Sequence, residues 1–138
     1  MPVYKAMEVP AETRARADLN QVNQNMRNGI PGTHSCLVTV GSVEPFSATL
    51  GLMLTLNSAS GVPATVLVKV WGLQCLRVLF GRFDLTEAQF LAALDTDELR
   101  DMVSSIADDQ VFIMRIRVSC SSFNGNWEGH VNHVTRAP

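Results

Sequence analysis

Residues 64–72 read Ala64-Thr65-Val66-Leu67-Val68-Lys69-Val70-Trp71-Gly72, a run in which Val66, Val68 and Val70 alternate with Thr65, Leu67 and Lys69 until a glycine ends it. Period-two alternation of β-branched residues places the two sets on opposite faces of a strand. The flanking sequence repeats the signal. His34–Gly41 is a short run with β-branched residues, Ala48–Leu56 is apolar with threonines and a central Gly51, and Leu73–Phe80 continues the pattern after Gly72. Gly41-Ser42, the Pro45 site, Asn57-Ser58-Ala59-Ser60-Gly61 and Gly72 punctuate these runs as turns. Runs of about eight residues between turns predict an antiparallel sheet, sandwich or barrel and leave no room for the helices of a parallel βαβ repeat.

Further along, Gln110–Ser119 is the clearest half-buried strand, with Phe112, Met114, Ile116 and Val118 on one face and Val111, Ile113, Arg115 and Arg117 on the other. After the loop Ser121–Gly125, Asn126–Thr135 reads as a last strand. Trp127, Val131 and His133 fall on one side of it, and Glu128, His130, Asn132 and Val134 on the other. Between these two groups of strands, residues 84–107 read as two short helices or one broken one. Asp84 and Thr86 start the first, with Phe90, Leu91 and Leu94 on one face; Asp95 and Thr96 start the second, with Leu99, Met102, Val103 and Ile106. Residues 1–32, rich in Asn, Gln and Arg, read as an arm containing a helix. Pro10 suits its first turn, Glu12 and Arg16 form an i,i+4 pair, and Ala11, Ala15, Leu19, Val22 and Met26 make a narrow apolar seam. Such a seam suits a helix lying on a surface or on another subunit; packing on its own domain is the other reading it allows.

The chain has 138 residues, 46% hydrophobic and only 17% charged, with a net charge of −2. A chain of this length can bury a sizeable core without metal or disulfide staples. Lys69 and Arg77 interrupt the most apolar region, and Lys5, Glu8 and Glu12 stand where a signal peptide needs its apolar core, so a chain kept in a cytosol-like compartment is expected. Cys36, Cys75 and Cys120 lack the close pairing of a zinc or redox motif and read as free thiols. The charge is unevenly placed. Segment 84–109 holds eight carboxylates against Arg100 alone, while in 34–82 only Glu44, Lys69, Arg77, Arg82 and, when protonated, His34 can carry charge. The acidic segment reads as a solvated helical surface with dipole-matched first turns or as a contact for a weakly basic neighbour.

No P-loop, GxGxxG, GxSxG or HExxH occurs. His130-x-x-His133 with Cys120 ten residues earlier is the one cluster of metal-ligand types, but positions three apart point to opposite faces of a strand, so surface or structural histidines are expected. A Cys120–His130 thiol and base pair is a third reading, without an orienting group. Arg115 and Arg117 on an exposed strand face are candidate phosphate contacts or an ordinary polar sheet face. Trp71 and Trp127 read as core or interface anchors in preference to base-stacking platforms.

Thr39-Val40-Gly41-Ser42-Val43-Glu44-Pro45-Phe46 resembles a strand and turn of the rhabdovirus matrix proteins. The resemblance implies a small β-rich protein with packed helices and a polar arm that self-assembles under a viral envelope. Tyr4-Lys5-Ala6-Met7 resembles a Tyr-x-x-hydrophobic adaptor or budding motif. The arm departs from the strongly basic arm of that family, with a net charge of only +1 over residues 1–32.

The expected fold is therefore α+β: a mostly antiparallel sheet or sandwich in a single domain of residues 33–138, an arm helix in 1–32 and a short acidic helical insertion between the fourth and fifth strands. The expected function is structural, a self-assembling viral matrix or coat subunit in virion or host cytoplasm, without enzymatic activity or cofactor. Leu19, Val22, Met26, Trp71 and Trp127 are its expected assembly contacts; a second copy, viral nucleoprotein or RNA, or a membrane surface are the partners considered. The alternative is a monomeric ligand- or partner-binding β domain, such as a host-interacting effector.

Overall fold

The valines of the alternating run are buried and its Thr65, Leu67 and Trp71 are exposed in the computed structural model, which describes residues 19–46, 49–60 and 62–137. The run forms β3 (Thr65–Trp71), antiparallel to β2 (Gly51–Ser58). β1 (Gly32–Pro45) is much longer than the sequence suggested because Gly41, expected to end it, is a bulge between Val40 and Ser42. That bulge bends the strand. Its first half pairs with β4 (Phe112–Cys120) and its second half with β2. β5 (Trp127–Arg136) pairs antiparallel with β4 and parallel with β3 through Lys69–His130 and Val70–Val131.

The result is a closed barrel in the order β1-β2-β3-β5-β4. The α+β class and the mostly antiparallel pairing hold. The sandwich does not: one bent strand serves two neighbours, so a single sheet closes on itself instead of splitting into two layers. Val38, Leu54, Leu56, Val68, Met114 and Ile116 fill its interior, each no more than 1% exposed.

Residues 73–80 correct a second expectation. They form the helix α2 (Leu73–Phe80), not a strand, so the helical insertion lies between the third and fourth strands. Cys75, Leu76, Leu79 and Phe80 are buried together, a spacing of one, three and one that gathers them on one face of a helix. Gly72 and Gly81 bracket it at φ 98° and 66°; in the left-handed region Gly81 closes the last turn by donating its N–H to Val78. Arg136, at the end of β5, donates to the Val78 and Leu79 carbonyls at 3.1 and 3.2 Å and ties helix to barrel.

The acidic segment forms α3 (Glu87–Leu94) and α4 (Glu98–Ser104). Thr86 starts α3 through a reciprocal capping box with Gln89. Thr96 accepts the Glu98 N–H at 3.2 Å ahead of α4. Leu85, Phe90, Ala93, Met102 and Ile106 join the barrel core as an apolar cap.

At the opposite end, where β1, β3 and β5 begin, α1 (Leu19–Asn28) touches all five strands and plugs the barrel. Leu19 and Val22, expected at an assembly interface, are 1% and 0% exposed and pack on their own chain. Burying each contributes about 1.5–3 kcal/mol, so they are not free to serve a neighbour in this conformation. Buried Asn25 bonds His34 Nε2 at 2.8 Å and accepts from Gln21 at 2.9 Å, and Asn23 donates to the Thr65 carbonyl at 3.0 Å. The part of the arm seam before Leu19, with Tyr4–Met7, Arg14 and Arg16, lies outside the described residues.

Candidate binding face of the barrel

Alternation along each strand and register between strands set a row of outward side chains around the barrel. Thr33 on β1 opposes Arg117 on β4, Arg117 opposes His130 on β5, His130 lies beside Lys69 on β3, and Lys69 opposes Met53 on β2. One step along, Ser35 opposes Arg115 and Arg115 opposes His133. His133 reaches this position because β5 shifts register between Val131 and His133, leaving Asn132 unpaired. The shift reverses the expected sides: Val131 and Val134 both turn inward, and His133 turns out.

Lys69 is the centre of this surface. Its Nζ donates to Glu128 Oε2 at 2.7 Å and lies 4.8 Å from the centroid of the Phe46 ring. Phe46 meets Trp71 edge to face, centroids 4.9 Å apart at 78°. The Trp71 ring lies flat across β2 at Gly51, where a Cβ would come within 2.6 Å of it, so only glycine lets the indole lie down there. Trp71 remains 38% exposed and Leu67 52%. The Lys69 hydrogen bond holds the Glu128 carboxyl below its usual range; burial, the next largest effect, opposes it, and the charge of Lys69 and then His130 add smaller lowering effects. His130 Nε2 sits 3.3 Å from Glu128 Oε1.

Arg115 and Arg117 are exposed and, among the described residues, form no ion pair. Their charge is therefore available to an incoming anion. Between them and the aromatic pair, β3 and β5 are joined at only two positions and diverge toward the plugged end. The divergence opens a groove of about 430 Å³, walled by Met26, Met53, Leu67 and Trp127 and bounded by Lys69 and Glu128.

Three of the five residues expected at an interface thus lie on this surface, Trp71 on the face and Met26 and Trp127 in the groove. Arg115 and Arg117 lie on it as well. Phe46, Met53, Leu67, Lys69 and Glu128 were not singled out by sequence. The solitary Lys69 in an apolar alternating strand was the available signal, whereas the approach of Phe46 to Trp71 depends on the register of β1 and β3 on the β2 between them. Cys120 and His130 are not brought together: Cys120 opposes Trp127 and His130 opposes Arg117, three residues away along the ladder or about 10 Å. Burial pushes the Cys75 thiol up, which makes it a poor nucleophile. No helix of the described residues is long and apolar enough to cross a membrane. No family model matches the chain, and neither the curated proteins nor the solved structures contain a match to it.

Proposed function

We propose that the outer face of β2, β3, β5 and β4 binds single-stranded nucleic acid. The observation that carries this reading is the joining, on one continuous surface, of the exposed Trp71, backed by the half-buried Phe46, with Lys69 and the ion-pair-free Arg115 and Arg117. Bases of a single strand offer ring faces that stack on aromatic side chains, and the backbone brings phosphates to basic groups beside them. A duplex hides the same ring faces. Phe123, 98% exposed in the β4–β5 connection, supplies a further stacking surface at the plugged end.

The barrel order with a parallel β3–β5 pair and helices between β3 and β4 is also that of OB barrels, which bind oligonucleotides and oligosaccharides on strands two and three and the adjoining loops. This is a likeness of architecture; the side chains on the face carry the function. The eight carboxylates of segment 84–109 sit on the helical cap and repel phosphates, restricting how a strand lies on the barrel.

Titration with a thymidine or uridine decamer, read by tryptophan fluorescence between 50 and 200 mM salt, tests the reading. Binding weakens as salt rises, and replacing both Arg115 and Arg117 with glutamine lowers the slope of log affinity against log salt by about 1.4, near 0.7 for each lost phosphate contact. Absence of binding at low salt, or binding indifferent to salt, overturns it. The second reading is the self-assembling matrix or coat subunit expected from the sequence, favoured by the exposure of Leu67 and Phe123. Sedimentation at tens of micromolar separates the two, since that subunit associates without nucleic acid.

A further inference from the structure

The groove where β3 and β5 part has the dimensions and walls of a small-ligand site, about 430 Å³ with apolar side chains and a few convergent polar groups. Met26, Met53, Leu67 and Trp127 offer contacts to the flat faces of a ring. The polar edge is Glu128, whose side chain is only 18% exposed. Its Oε2 accepts from Lys69 and its Oε1 faces His130, which leaves a further acceptor site on each oxygen. An ionised carboxylate accepts and does not donate, so it selects a partner with two adjacent donors.

Among the common bases only guanine presents such a pair, N1–H beside the N2 amino group. Adenine and cytosine place a ring-nitrogen acceptor next to their amino group, and thymine and uracil flank their one N–H with carbonyl oxygens; each sets a lone pair against the carboxylate. We propose that the groove seats one unstacked guanine of the bound strand, with Glu128 accepting from N1–H and N2–H and Lys69 holding the carboxylate in place. The proposal rests on the nucleic-acid reading of the face and adds a base preference that stacking and phosphate contacts do not supply.

The test compares a thymidine decamer, the same decamer with one central guanine, and one with hypoxanthine at that position, which keeps N1–H and lacks the amino group. The guanine decamer binds about tenfold tighter than the plain decamer, the size expected of a good bidentate contact, and hypoxanthine loses most of that gain. Glu128→Gln abolishes the guanine preference, read as the ratio of guanine-decamer to plain-decamer affinity within the variant. Equal binding of all three decamers overturns the guanine site and leaves the reading of the face standing, as does a preference that survives in Glu128→Gln. Failure of every decamer to bind overturns both. Because the hypoxanthine comparison uses the native chain, it decides the matter even where the substitution disturbs folding.

Discussion

Between Asp84 and Asp109 the chain sets eight carboxylates toward water and buries Leu85, Phe90, Ala93 and Met102 beneath them, whereas the outer face of β3 and β5 leaves Leu67 and Trp71 in the open. In the cap, apolar side chains go in and charge goes out, and the arrangement is accounted for by stability alone. On the barrel face, the exposed Trp71 and Leu67 share a surface with Lys69, Arg115 and Arg117, and stability gives no reason for that combination. An exposed aromatic beside basic charge costs a folded chain something and gains only when a ligand covers it. The difference separates the part of the molecule that holds the fold from the part proposed to meet a partner.

Phe90→Ala is the strongest way to test that separation. Phe90 is 0% exposed in the cap, and its loss costs about 3–5 kcal/mol, a large share of the 5–15 kcal/mol by which a domain is stable. Urea denaturation measures the loss. The protein that remains folded keeps its affinity for the thymidine decamer; a fall in that affinity would mean that the cap shapes the binding face. Trp71→Ala is the converse. It costs about 1–3 kcal/mol of binding, the worth of one base on an aromatic platform, and shifts the urea midpoint less than Phe90→Ala does. A Trp71→Ala protein that binds normally would remove the aromatic pair from the site.

The same contrast explains how much could be read without coordinates. Alternation at Phe112, Met114, Ile116 and Val118, and the start signal at Thr86, are local, and each stands in the structure as the sequence implied. Residues 73–80 read as a strand because their apolar residues continue the run before Gly72; Gln74 and Arg77 at a spacing of three, and Gly81 after the run, are the signals for a helix and its end. Gly41 looked like a turn because a glycine that ends a strand and one that bulges it look alike until the partner strands are known. The side of β5 on which His133 falls depends on a register shift against β4, which no single strand encodes. The candidate face was legible only in parts: Trp71, Arg115 and Arg117 were visible as residues, but Phe46 reaches Lys69 only across β2, and Glu128 only once β5 lies beside β3.

The smallest expected effect lies in the Lys69–Glu128 pair at the centre of the face. Its members are 21% and 18% exposed, so the pair adds less than about 1 kcal/mol to stability. Its pH dependence has a definite sign. The folded carboxyl releases its proton at lower pH than the ordinary value of 4.5, so the contribution is fully present above that value and is lost as pH falls through the lower, folded one. Glu128→Gln removes both the charge and the titration. The native chain therefore shows a slightly higher urea midpoint than Glu128→Gln at pH 7, and the gap narrows as the pH falls below 4.5. A gap that does not narrow at all as the pH falls below 4.5 would mean that Glu128 stabilises the barrel by packing and not by charge, and would place it with the residues of the cap instead of those of the face.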